Sequence, residues 1–275
     1  MNQTLGPHTN WRKLKILLAR ALNLIVLCLA IVGVSRADSG SRVAIPSDYW
    51  PVSSGSILEY HGQVKYGGVL VVQSVIVRSH LLGRAEFNGS IAEKSLEYVR
   101  VEQPDGEYVE SELFEYVLVD SLQVRTVAFQ PQGGEPQEWP SDNDFSLRAP
   151  LEEGRWWTSV APGMIRLAGN YVDPEFRTIR TVEKLGVEVG VPAGTYVNCI
   201  EVAIVGTSSD PLLVRGLSGK KCDAYIEVSK RVWRAPGLGL VKQIVTTRAF
   251  PVGYPDSTFS WEEYELELVS QTTSK

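Results

Sequence analysis

The chain has 275 residues, 44% of them hydrophobic and 21% charged, with a formal net charge of −5. Residues 1–37 hold five basic residues and no acid, so the remaining 238 residues carry 22 basic side chains against 32 acidic ones, a net −10. That surface repels phosphate backbones and argues against nucleic acid as a partner; a chain of that length buries roughly 70–75% of its unfolded surface and needs no staple in order to fold.

Residues 1–37 read as a cleavable secretory signal. Arg12, Lys13, Lys15 and Arg20 precede the apolar run Ala21 to Val34, in which Asn23 is the one strongly polar residue. Ser35-Arg36-Ala37 then sets small residues at the −3 and −1 positions of a cleavage site. The run is shorter than the ~20 residues a spanning helix wants, so cleavage near Ala37 is expected over a retained anchor. Leu27 is too large for lipoprotein processing at Cys28. The product is expected to be a soluble periplasmic or secreted protein.

Residues 38–47 are polar and are expected to be a flexible segment. Period-two alternation then dominates, and an all-β protein is predicted. In the first half (residues 48–130), Ile57 to Lys65 and Val69 to Arg78 flank Gly67-Gly68, a hairpin signal. Leu96 to Gln103 and Tyr108 to Val119 flank Pro104-Asp105-Gly106, and Leu122 to Gln130 follows. Residues 131–149 collect Pro, Gly and acids and read as a linker or long loop. In the second half (residues 150–275), strands are expected over Phe176 to Val189, Tyr196 to Val205, Lys221 to Trp233, Leu240 to Phe250 and Phe259 to Val269. A short helical turn fits only Ile91 to Leu96 or Pro211 to Leu217. Pro51 to Leu58 and Pro150 to Trp157 share a pattern of Pro, apolar, two polar, Gly, any residue, then two apolar residues. The echo suggests two similar halves.

Cys199 and Cys222 sit in two of these strand-like runs. In an oxidising compartment a disulfide between them is expected, contributing roughly 3 kcal/mol. Catalytic motifs are missing. His61 has Glu59 on the same face, but an ordinary half-exposed strand histidine is the better explanation. Gly216 to Lys220 lacks the full phosphate-loop spacing. Asp142-Asn143-Asp144, with Glu138 nearby, is too thin a pattern for calcium and reads as a solvated acidic loop. Glu263, Glu265 and Glu267 alternate with Tyr264, Leu266 and Leu268, which is a strand with one wet face. No catalytic residue, metal site or cofactor is expected. Of the tryptophans, Trp139, Trp156 and Trp157 are the candidate ligand contacts.

Asp48-Tyr49-Trp50-Pro51-Val52 with Gly55 and Tyr60, Val191-Pro192-Ala193-Gly194-Thr195-Tyr196-Val197-Asn198-Cys199, and Trp233-Arg234-Ala235-Pro236-Gly237-Leu238-Gly239-Leu240-Val241-Lys242 resemble blocks of an uncharacterised family of exported bacterial β-rich proteins. The resemblance implies an antiparallel, strongly curved sheet, an open half-barrel or sandwich like that of periplasmic lipoprotein carriers. It implies no activity. The function expected is a non-enzymatic envelope protein in a binding or structural role, with an apolar or glycan ligand on a concave β surface. A glycan hydrolase with paired carboxylates and a surface adhesion or assembly module are the alternatives. Lipid, glycan or another envelope protein are the partners these readings imply.

Overall fold

Alternating apolar and polar residues give each strand one face to bury and one to leave wet, and this chain repeats that pattern through long runs. The computed structural model describes residues 44–273 except 52–53, 67–68, 103–106, 140–143, 163–164, 168–169, 173–174, 216–219 and 254–259. A 3-10 turn at Pro46–Tyr49 precedes sixteen strands: β1 (Ser56–Tyr66), β2 (Val69–Phe87), β3 (Ser90–Glu102), β4 (Tyr108–Val119), β5 (Gln123–Pro131), β6 (Gln137–Glu138), β7 (Phe145–Arg148), β8 (Trp156–Pro162), β9 (Ile165–Leu167), β10 (Asn170–Val172), β11 (Glu175–Val191), β12 (Gly194–Ser208), β13 (Leu212–Arg215), β14 (Lys221–Ala235), β15 (Gly239–Pro251) and β16 (Ser260–Thr273). The signal segment and the hairpin centres Gly67-Gly68 and Pro104-Asp105-Gly106 lie outside the described residues.

Fourteen strands form one curved antiparallel sheet that does not close into a barrel. Its order is β6-β5-β4-β3-β2-β1-β16-β15-β14-β12-β11-β8, with β7 added on β5 and β13 on β14; β9 and β10 form a separate hairpin. The first and last strands meet at the middle, where Tyr60 is opposite Leu268 and Val64 opposite Tyr264. The sheet therefore runs unbroken from one half of the chain into the other. One apolar cluster follows it, including Leu58, Tyr60, Val77, Leu147, Ile200, Ile226, Leu240 and Leu266. The Tyr60 hydroxyl is buried and donates to the Leu240 carbonyl at 3.0 Å, tying β1 to β15 across β16.

The Pro51 and Pro150 segments occupy equivalent places. Gly55 (φ 83°) and Gly154 (φ 77°) each take a left-handed turn that a side chain would strain. Their amides donate to Leu81 O and Val182 O, both at 2.8 Å. In each case the paired strand slips register just beyond, between Leu81 and Gly83 and between Val182 and Lys184. Ile91 to Leu96 is not helical: it lies inside β3. Of Pro211 to Leu217, Leu212–Arg215 is strand β13, and the rest of that stretch contains no helix among the described residues.

Candidate functional site

Buried charges gather where the two ends of the sheet approach. On β3 and β4, Ser95 is opposite Glu115 and Glu97 opposite Leu113, which places both glutamates on one face as diagonal neighbours. Both point inward and are buried, as are Asp144 before β7, Arg180 on β11 and Arg234 on β14. Glu97 and Glu115 come from the first half of the chain, Asp144 from the stretch between the halves, and both arginines from the second. Ser79 Oγ donates to Glu97 Oε1. Asp144 Oδ1 accepts from Arg180 Nη2 at 2.5 Å and from Ser159 Oγ at 3.0 Å.

Burial makes ionisation expensive in this region. It holds the Glu97 carboxyl well above the usual carboxylate range, with the charge of Glu115 pushing the same way and the hydroxyls of Ser79 and Ser95 pulling it down. Glu115 is pushed up to about 8, first by burial and then by Asp144, against the opposing pull of Arg234. Burial thus favours the neutral form of both glutamates, beside the Asp144–Arg180 ion pair. No sequence motif marks this cluster, but parity does: Glu97 falls in step with Val99 and Val101, Glu115 with Leu113 and Val117, and Arg234 with Val228 and Val232.

The acids singled out on the last strand behave otherwise. Tyr264, Leu266 and Leu268 are buried, whereas Glu265 and Glu267 share Lys242 Nζ at 2.5 and 2.7 Å and Glu263 meets Lys65 at 3.2 Å. His61 Nε2 does lie 2.8 Å from Glu59, on the exposed side. Arg78 also donates to Glu59 at 2.5 Å, and that bond is the main cause holding the Glu59 carboxyl below its ordinary range. Asp144 is not a solvated loop acid but a buried partner of an arginine; Asp142, Asn143 and Gly216 to Gly219 lie outside the described residues.

The three candidate tryptophans do not converge. Trp156 is exposed and Trp157 buried, because neighbours on β8 point to opposite faces. The Trp157 indole donates to Phe145 O at 3.0 Å. Trp139 packs edge-on against Phe129, ring centres 5.9 Å apart.

The expected disulfide is absent: Cys199 and Cys222 are both free. Strand register explains this. Ile200 is opposite Arg234, so Cys199 lies beside the far end of β14, whereas Cys222 begins that strand and is opposite Val214 of β13. The two sit about 40 Å apart at about 3.3 Å per residue, where a bridge needs Cα atoms within about 7 Å. Burial pushes the Cys199 thiol up to about 12, while Cys222 is only half-buried. Iodoacetamide without reductant is therefore expected to label Cys222 in the folded protein and Cys199 only after unfolding, as read by peptide mass mapping. Failure of both to react in denaturant would restore the bridge.

A pocket of about 650 Å³ opens beside the 3-10 turn. Ser47, Trp50, Pro51 and Ser54 line it from the segment around the turn, and Leu82 to Arg84 of β2, Glu93 of β3 and Val119 of β4 line it from the sheet. Arg84 Nε meets Glu93 Oε1 at 3.1 Å. The Trp50 indole N–H is buried with no acceptor among the described residues. The pocket assembles from separated stretches of the chain, of which only the Trp50-Pro51 segment belongs to a block singled out in the sequence.

No family model and no curated protein matches the chain. The solved structures it is similar to include two crystal structures. One is of a protein assigned as a lipoprotein from Parabacteroides distasonis, at 11% identity and TM-score 0.38, over 82% of this chain and 98% of that one. The other is of a protein assigned as exported, with a YmcC-like fold, from Bacteroides fragilis, at 10% identity and TM-score 0.33, over 81% of this chain and 98% of that one.

Proposed function

We propose that this is an exported, non-enzymatic envelope protein that binds a glycan unit in the pocket beside Trp50. The carrying observation is the pocket's lining. Ser47, Ser54, Arg84 and Glu93 offer donors and acceptors for hydroxyls, while Pro51, Leu82 and Val119 offer apolar contact to the C–H face of a ring. The volume lies within the range of small-molecule sites. The inner face of the sheet is a less suitable ligand surface, because the protein's own side chains cover it.

The hydrolase reading is weaker for a geometric reason. Its two carboxylates must flank a bond in a cleft with room for sugar and water. Glu97 and Glu115 are neighbours, but they are 1% and 3% exposed, and Glu263, Glu265 and Glu267 share one open face rather than opposing each other.

Ser54 is exposed and lines the pocket, so tryptophan there is expected to fill the space without entering the core. Saturation-transfer NMR with envelope oligosaccharides is expected to show contact to the wild type that Ser54→Trp reduces at least tenfold. Contact by a medium-chain fatty acid in place of every oligosaccharide would change the ligand class to apolar. Equal signals from both proteins would move the site elsewhere.

A further inference from the structure

The two ends of the sheet meet without a ladder. Among the described residues β7 pairs only with β5, and β8 only with β11. Among the described residues no backbone hydrogen bond joins β7 to β8. Side chains span the gap instead. Asp144 takes Arg180 and Ser159 on one oxygen, and the Trp157 indole reaches the carbonyl of Phe145, the next residue along. All four side chains are at least 94% buried.

This is a costly way to close a core. Among the described residues Asp144 Oδ2 and Arg180 Nε are buried with no hydrogen-bond partner, and a buried charge with part of its hydrogen-bonding capacity unmet is destabilising. Apolar side chains of the same volume are commonly as stable or more so in such a place. What an ion pair adds is a closure that depends on one carboxylate. The groups around it match that role. The charge of Asp144 acts on Glu115 from β4, Arg180 comes from β11, Ser159 from β8, and Arg234 from β14 acts on Glu115.

We propose that Asp144 is the latch of a seam: its bonds to Arg180 and Ser159 hold the sheet ends together, and breaking them parts β7 from β8 while the remaining strands stay paired. Parting uncovers the apolar lining at that end, including Leu147 and Trp157. Local opening of this kind needs less free energy than unfolding the laddered centre, where β1 is paired on both sides. The latch stands apart from the Trp50 pocket, and neither reading needs the other.

Hydrogen-exchange mass spectrometry on the full chain tests it, comparing wild type with Asp144→Asn, Ser159→Ala and Trp157→Phe, with anilinonaphthalene sulfonate fluorescence alongside. Exchange in β7 and β8 is expected to rise at least tenfold in Asp144→Asn and less in the two milder variants. Amides of β1, β15 and β16 stay at wild-type rates, and dye fluorescence increases. A uniform rise over the whole sheet would overturn the latch and make Asp144 an ordinary core residue. If Asp144→Asn does not fold, the milder pair decides: a rise confined to β7 and β8 supports the latch, and no rise refutes it.

Discussion

Replacing Glu115 by glutamine is expected to stabilise the protein by about 3–5 kcal/mol at pH 8.5 while changing its stability by no more than about 1 kcal/mol at pH 4.5. The cause is the dry position of the carboxyl. Burial and the neighbouring Asp144 push Glu115 up to about 8 in the folded chain, against an ordinary value of 4.5. Between those two values the folded state holds a proton that the unfolded state has released, so stability falls as pH rises. The stabilising contribution is complete below pH 4.5 and is lost by the time pH passes 8. At about 1.4 kcal/mol per pH unit the loss saturates at about 5 kcal/mol. Glutamine keeps the shape and cannot ionise, so its profile is flatter. Urea denaturation of both proteins from pH 4.5 to 8.5 checks this; parallel curves would mean that Glu115 ionises as readily in the fold as in water.

The second large effect is steric and lies at the sheet's centre. A Cβ on Gly62 would sit 2.2 Å from the Glu265 carbonyl oxygen and 2.5 Å from a methyl of Leu266. The first contact is with backbone and cannot be relieved by a rotamer change. Gly62→Ala is therefore expected to destabilise the protein by about 3 kcal/mol or more, at the upper end for overpacked sites. It does so by forcing β1 away from β16, the pairing that joins the two halves of the sheet. A drop of about 3 kcal/mol in the denaturation free energy is the expected reading. A change under about 1 kcal/mol would mean that the two strands separate without cost.

Much of the sheet was legible as alternation. The run Tyr108 to Val119 is β4 residue for residue, and Leu240 to Phe250 falls within one residue of each end of β15. Legibility fails where the ladder slips. β2 continues to Phe87, well past Arg78: its ladder with β3 slips between Leu81 and Gly83 and then runs on until Phe87 is opposite Ser90. Across that shift on β3, Ala92 and Ser95 are both buried, a spacing of three that imitates a helix. The cysteine pair failed for a related reason. Composition and compartment say that two cysteines bond, but register decides whether they meet, and β13 enters where a direct hairpin was expected.

The site was less legible than the fold. The wet face of the last strand follows from period two alone, and so do the opposed directions of Trp156 and Trp157. The buried charges were visible only as violations of that period, such as a glutamate in step with valines, and a violation does not say what it meets across the core. The Trp50 pocket has no one-dimensional trace, since Ser47, Leu82, Glu93 and Val119 come together only through the 3-10 turn and the β2–β3–β4 pairings.

The most direct test of the binding claim is native mass spectrometry on protein isolated from its own envelope, wild type and Ser54→Trp side by side. The account predicts a native-only added mass of glycan size on the wild type, lost on denaturation and absent from the variant. A bare mass for both proteins, or the same added mass on both, would contradict it.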